Sequence, residues 1–207
     1  MSTTHRLRFP LDEATARTLR AGDMVIMDGE IVITAGLPTH QRIADFVAEN
    51  RELPTDLRHG TLFHLGSFSR AANGQFEVLY MNPTTSTRFN PYMPGFIRKF
   101  GLHAVGGKGG LDAECARAMQ AIGCVYLSFL GGGCTLHSAA IKGVVSVQWD
   151  DLIAHYRLVT LRIEGLGPAT VAIDAHGVSL YDQLHADANA RLADILAGMD
   201  QARAAQS

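Results

Sequence analysis

Apolar and polar positions alternate along this chain with two different periods, and the switches between them mark out its elements. Residues 24–34, MVIMDGEIVIT, hold two β-rich runs around Asp28-Gly29, a dipeptide that tolerates the positive φ of a tight hairpin, so two short strands are predicted there. Pro38 suits the first position of a helix and opens one through THQRIADFVAEN. GTLFHLGSF and GQFEVLYM read as strands on either side of a polar turn at Ala71-Ala72-Asn73-Gly74. PYMPGFIRKFG predicts a short helix closed by Gly101.

From residue 102 the order strand, glycine loop, helix occurs twice. LHAVGGKGG leads into LDAECARAMQAIG, where Leu111, Cys115, Ala118, Met119 and Ile122 share one helical face. CVYLSFLGGGCTLHSAAIKG follows the same plan. VVSVQW, YRLVTLRIEG and ATVAIDAHG predict three more strands. From about Ser179, Leu184, Ala188, Leu192, Ile195 and Met199 form a stripe expected to dock a C-terminal helix over about 180–203. The pattern is that of a mixed α/β domain whose glycine loops follow strands and precede helices, common places for binding sites.

Composition narrows the partners. At 207 residues and 47% apolar content the chain suits one domain, taken as 1–207, with a substantial core. Its 18 Lys+Arg stand against 20 Asp+Glu without a basic run to follow a phosphate backbone, which argues against nucleic acid. The N-terminal stretch lacks the apolar core of an export signal, and no window is long and apolar enough to span a bilayer; no membrane partner and a cytoplasmic location are expected. Cys115, Cys124 and Cys134 are an odd count without C-x-x-C spacing, so reduced thiols are expected and no metal site on this chain.

Three segments carry candidate chemistry. In MNPTTSTRFNPY, residues 81–92, the hydroxyls of Thr84, Thr85 and Ser86 can donate to and accept from a ligand oxygen, and Arg88 can pair a carboxylate through two parallel hydrogen bonds; together they suit a small carboxylic acid. A polar turn with an exposed arginine accounts for the same residues. GGKGG, residues 106–110, lets backbone approach a ligand ahead of a helix N-terminus, with Lys108 as a mobile cation, or is a plain glycine turn. It is not a Walker A loop, since Gly109 follows the lysine.

GGGC, residues 131–134, is an oxyanion loop or close packing, and Cys134 at its end a weak candidate nucleophile. His40, His64, His103, His137 and His176 lack metal-ligand spacing and read as surface or hydrogen-bonded core residues. Asp174 in AIDAHG fits a turn as well as it fits catalysis.

In order and spacing, NPTTSTRFNPY, VGGKGG, GGGCTL, VQWDDL and GPATVAIDAHGVSLYD resemble the β subunit of iron-sulfur-dependent hydro-lyases, the family of class I fumarase and L(+)-tartrate dehydratase, over about residues 10–185. The family pattern G-P-T-T-S-x-R-M appears with Asn82 for Gly and Phe89 for Met. The resemblance implies a swivelling β/β/α fold with a mixed sheet and flanking helices. It implies an α subunit that carries a four-iron four-sulfur cluster, hence a hetero-oligomer, and reversible dehydration of a small 2-hydroxy dicarboxylic acid. Thr84, Thr85 and Arg88 would bind the substrate carboxylate, and Lys108 would be both substrate contact and catalytic lysine.

Two further segments depart from the family pattern. In TAGLPTHQR, Thr34, His40 and Arg42 match the early helix motif, while Gly36 and Leu37 replace its Arg-Asp pair. Tyr156 stands where the family tends to have Glu. A less charged or bulkier hydroxy acid, with Leu37 against an apolar substituent, would suit such a site. The alternative is a non-catalytic dicarboxylate-binding paralogue that has lost turnover.

Overall fold

The computed structural model describes residues 2–72 and 75–204 and places strands and helices much as the periodicities predict. Strand β1 (Thr4–Phe9) leads through α1 (Glu13–Thr18) to β2 (Met24–Ile33). Next come α2 (Leu37–Ala48), β3 (Thr61–Phe63) and a hairpin of β4 (Leu65–Ala72) and β5 (Gln75–Pro83). A 3₁₀ turn (Ser86–Phe89) and α3 (Met93–Phe100) precede β6 (Ala104–Gly107), α4 (Ala113–Ile122), β7 (Val125–Ser128), α5 (Cys134–Ala139) and β8 (Ile141–Gln148). A second 3₁₀ turn (Ala154–Tyr156), the long β9 (Leu158–Ile173) and α6 (Leu180–Ala204) complete the chain.

The seven-stranded sheet runs β1-β2-β3-β6-β7-β9-β8, parallel from β1 through β7 and antiparallel where β9 joins. Strand β9 also pairs with β2 from Val159 to Thr170, so β2, β3, β6, β7 and β9 close on themselves. Closure fixes two separate cores by strand alternation. Ile31, Ile33, Phe63, Ala104, Val125 and Leu127 point into one cluster with Val159 and Leu161. Their neighbours Val32, Leu62, Val105 and Tyr126 point into the other, where Ile43 of α2, Ile97 of α3 and Met119 of α4 cover the sheet. This is the mixed-sheet, helix-flanked α/β architecture that the resemblance implies.

Three expectations are corrected. The predicted hairpin at Asp28-Gly29 is one continuous strand, because β1 holds its first half in parallel while β9 runs along its other edge. Gly29 instead sits at a register shift with φ +110°, and a Cβ there would strike the Phe9 carbonyl oxygen. Asp28 is engaged by Arg6 at 2.6 and 2.9 Å and by the Gly165 N–H at 2.8 Å. The two strands predicted at 156–177 are one, since β9 keeps its ladder with β2 through the glycines at 165 and 167. In the 60–81 hairpin, β4 runs on through Ala71 and Ala72, while the tip of the predicted turn, residues 73 and 74, lies outside the described residues.

The C-terminal helix forms but its stripe does not dock on this chain: Leu184, Leu192, Ile195 and Met199 are 49–65% exposed. Leu180 and Tyr181 anchor the helix start on the core, with the Tyr181 hydroxyl 3.2 Å from Ser128 Oγ and its ring against Gly110. No helix among the described residues is long and apolar enough to cross a membrane.

Gly29→Ala combines a positive φ with a steric contact to the backbone of β1, so we expect it to lower unfolding free energy by roughly 1–3 kcal/mol. Urea denaturation reads this directly, and an unchanged midpoint would remove the close approach of β1 to β2 as its cause.

Candidate functional site

The threonine-rich and lysine loops are joined by backbone. Thr85 and Lys108 form an isolated parallel bridge, in which the Ser86 N–H donates to the Lys108 carbonyl at 2.8 Å and the Lys108 N–H to the Thr84 carbonyl at 3.0 Å. Upstream, the Thr84 N–H donates to the His64 carbonyl at 2.9 Å and the His64 N–H to the Gly106 carbonyl at 2.6 Å. The segment between β5 and the first 3₁₀ turn is thus laid along the end of β6. Thr85 and Lys108, 23 positions apart in sequence, are brought side by side.

Arg88, exposed, donates from Nη2 to Thr84 Oγ1 at 2.6 Å, and its Nε lies 3.4 Å from the Thr85 carbonyl. Thr84, Thr85 and Lys108 are half-buried. Lys108 extends toward the third loop, where its Cδ is 3.6 Å from a Cβ built on Gly131. The three glycine- or hydroxyl-rich segments therefore meet at one surface.

Ser86 behaves differently from its neighbours. It is fully buried, and its hydroxyl is occupied inside the protein by Tyr126 Oη at 2.9 Å and His64 Nδ1 at 2.8 Å. The glycines of the lysine loop likewise serve packing as much as ligand approach. A Cβ on Gly107 would collide with Ser86 Oγ and lie 3.0 Å from His64 Cβ, and one on Gly106 would lie 2.6 Å from the Leu127 carbonyl. One on Gly110 would lie 2.7 Å from the Tyr181 ring.

His40 and His64 lie beneath this surface, both fully buried, with ring centroids 5.2 Å apart and both against Phe89, at 4.0 and 4.4 Å. Burial lowers the His40 pKa to about 4, against which its hydrogen bond to the Gly36 carbonyl raises it, and the Arg88 charge lowers it further. Burial also pushes His64 well below the ordinary histidine value, with His40 and Arg88 adding to the effect. Both rings are neutral near pH 7. Burial raises the thiol pKa of Cys115 and Cys124, as it does the Tyr126 phenol.

The remaining candidates are structural. Asp174 accepts backbone N–H groups from Ala21, His176 and Val178 and shapes a turn. Cys134 heads α5, where His137 one turn on lies with Nε2 3.0 Å from the Leu130 carbonyl. His103 Nδ1 is 3.2 Å from the Gly123 carbonyl, and His176 Nε2 is 2.9 Å from that of Arg17.

Arg42 pairs Asp151 at 2.9 and 2.7 Å beside the Trp149 ring, and Thr34 donates to the Tyr156 carbonyl. The two departures are in contact: a Cβ on Gly36 would lie 2.8 Å from Tyr156 Cβ. Leu37, in the first turn of α2, is 45% exposed.

Two cavities, of about 460 and 650 Å³, lie elsewhere, one between the end of α2 and residues 50–58, the other between β5 and β8. Neither is lined by Thr84, Arg88 or Lys108, and the chemistry rather than the concavity marks the site. No group of three His, Cys, Asp or Glu among the described residues is placed to hold a metal ion, and two of the three thiols are buried in apolar surroundings. These residues do not fit an iron-sulfur cluster.

Sequence reasoning did not assign His64 and Tyr126 to the site. The signal available was a lone histidine within an otherwise apolar strand segment, LFHLG.

Fold and site together define a mixed α/β protein that presents hydroxyls, a guanidinium and an ammonium on one open surface. A family model described as "Fumarase C-terminus" matches residues 3–184, and the chain belongs to that family. It is 30% identical over 187 residues to a putative L(+)-tartrate dehydratase subunit beta of Methanocaldococcus jannaschii, covering 90% of this chain and 95% of that protein. It is 28% identical over 174 residues to the L(+)-tartrate dehydratase subunit beta of Escherichia coli, covering 84% of this chain and 85% of that one. It is also 32% identical over 179 residues to a putative class I fumarate hydratase of Geobacillus stearothermophilus, covering 86% of this chain and 34% of that protein.

The neutral His40 gives acid sensitivity a definite sign. Unfolded, it takes a proton near pH 6.5; folded, only near pH 4. Stability is therefore full above about pH 6.5 and falls as pH drops toward 4, by on the order of 3 kcal/mol from this residue. Urea unfolding of the wild-type chain and of His40→Phe across pH 4–7 measures it; equal slopes would assign the acid loss to other groups.

Proposed function

We propose that this chain is the β-type subunit of a hydro-lyase that reversibly removes water from a small 2-hydroxy dicarboxylic acid, and that its share of the work is to hold the acid's carboxylates. The observation that carries the proposal is the Thr85–Lys108 backbone bridge, which sets Arg88 and Lys108 on loops that cannot drift apart independently. The names of the relatives, tartrate dehydratase subunit beta and class I fumarate hydratase, support the reaction class.

Within that reading the residues divide the task by chemistry. The Arg88 guanidinium takes a carboxylate through two parallel N–H donors, and Thr84 and Thr85 add hydroxyl donors beside it. Its existing bond to Thr84 Oγ1 already holds the guanidinium over the loop, which reduces the ordering cost of binding. Lys108, the proposed catalytic residue, places an ammonium where negative charge grows on the substrate as the proton next to a carboxylate leaves. The iron-sulfur cluster that the resemblance implies would come from a cluster-bearing α-type partner in a hetero-oligomer.

Gly36 and Leu37 leave the first turn of α2 without a guanidinium on the side where Arg88 acts on His40. The favoured substrate therefore carries less charge or more apolar bulk at that end than tartrate.

With a cluster-bearing α-type chain reconstituted anaerobically, Arg88→Ala should raise KM roughly 10- to 100-fold and Lys108→Ala should lower kcat about 10²- to 10³-fold. Turnover by this chain alone, without iron, would overturn the proposal. Calorimetric binding of tartrate or malate with no turnover in any such reconstitution would make the chain a non-catalytic dicarboxylate binder instead.

A further inference from the structure

The buried hydroxyl of Ser86 fixes where the protons of the two histidines must be. The Gly110 N–H lies 3.3 Å from Tyr126 Oη, and the tyrosine hydroxyl donates to Ser86 Oγ at 2.9 Å. With Tyr126 donating, Ser86 Oγ–H is directed to His64 Nδ1 at 2.8 Å. If His64 Nδ1 carried the proton, the serine hydrogen would be stranded in a fully buried place, which costs about 1–3 kcal/mol. His64 therefore accepts at Nδ1 and bears its hydrogen on Nε2, where it has no partner among the described residues.

His40 has the opposite arrangement. Its Nδ1 lies 2.7 Å from the Gly36 carbonyl oxygen, which can only accept, so the hydrogen is on Nδ1. Its Nε2 is left as a buried lone pair, also without a partner. One ring thus presents an unpaired donor and the other an unpaired acceptor, on imidazoles packed side by side against Phe89.

We infer that one buried water accepts from His64 Nε2–H and donates to His40 Nε2, completing a buried relay from the Gly110 N–H through Tyr126, Ser86, His64 and His40 to the Gly36 carbonyl, in which both histidines are positioning residues. The relay ties the first turn of α2 to the Thr84–Arg88 segment and to the far side of the lysine loop. It rests on the hydro-lyase reading only in calling those loops a substrate site. Its tautomers hold whether or not that reading does.

The test is long-range ¹H–¹⁵N spectroscopy of the full chain with labelled histidine at pH 7.5, which distinguishes the two neutral tautomers. His64 protonated on Nε2 and His40 on Nδ1 is the expected result. Either hydrogen on the other nitrogen, or either ring doubly protonated, overturns the relay. As a test of positioning, His64→Phe should speed amide exchange of Ser86 and Gly110 at least about tenfold while Ile31 and Val125 keep wild-type rates. Unchanged Ser86 and Gly110 rates in a folded variant would overturn the positioning role, and should the variant not fold, the wild-type tautomers still decide the relay. Because neither measurement uses turnover, failure of the hydro-lyase assay and failure of the relay are separately visible.

Discussion

Everything at this surface depends on the backbone exchange between residues 84–86 and 108. Two amide hydrogen bonds, Ser86 N–H to Lys108 and Lys108 N–H to Thr84, extend the edge of β6 by one pairing beyond its last residue. Side chains alone could not hold Arg88 and Lys108 in register, since both are long and rotamer-rich. Backbone can, because it is anchored at one end in the closed sheet and at the other in the 3₁₀ turn that buries Phe89. Gly107 makes the exchange possible, since any side chain there would meet Ser86, His64 and the Thr84 carbonyl together.

From that constraint follows a division among the hydroxyls of the loop. Thr84 turns to Arg88, whereas Ser86 turns inward to Tyr126 and His64. The inward set is neutral, as it must be: an uncompensated charge at full burial would cost several kcal/mol. The outward set carries the cations, half-buried or exposed, where they keep water until a ligand or a partner replaces it. A cationic surface above a neutral polar floor lets the loop stay rigid without neutralising the charges it presents.

Much of this was legible in the sequence, and the exceptions share a cause. Helices α2, α3 and α4 follow from Pro38, Gly101 and the apolar face around Cys115 and Met119, because each signal is local. The hairpin expected at Asp28-Gly29 failed because β2 pairs there with β1 and β9, the latter more than 120 residues away; turn chemistry says nothing about distant strands. The backbone bridge of Thr85 to Lys108 could not be read from periodicity, since none relates residues 23 apart in loops. The roles of His64 and Tyr126 depend on which hydroxyl faces inward, a three-dimensional fact. The stripe on α6 was read correctly as apolar, but amphipathicity does not name what covers it: the helix leaves the closed sheet after Tyr181 and carries its stripe into solvent.

The two departures from the family pattern are better understood as one. Gly36 and Tyr156 touch so closely that a side chain at 36 would require Tyr156 to move, and Tyr156 is held by its own carbonyl, which accepts from Thr34 and Thr39. An arginine could not return at 36 alone, because the tyrosine backbone occupies the space its Cβ needs. Nor would a change at 156 help unless it moved that backbone, which lies 2.9 Å from the same point. The two positions must change together, and between them they set which side chains the first turn of α2 can carry. Leu37 is exposed on that turn. The residue type at 36 is thus set by the backbone geometry around Tyr156.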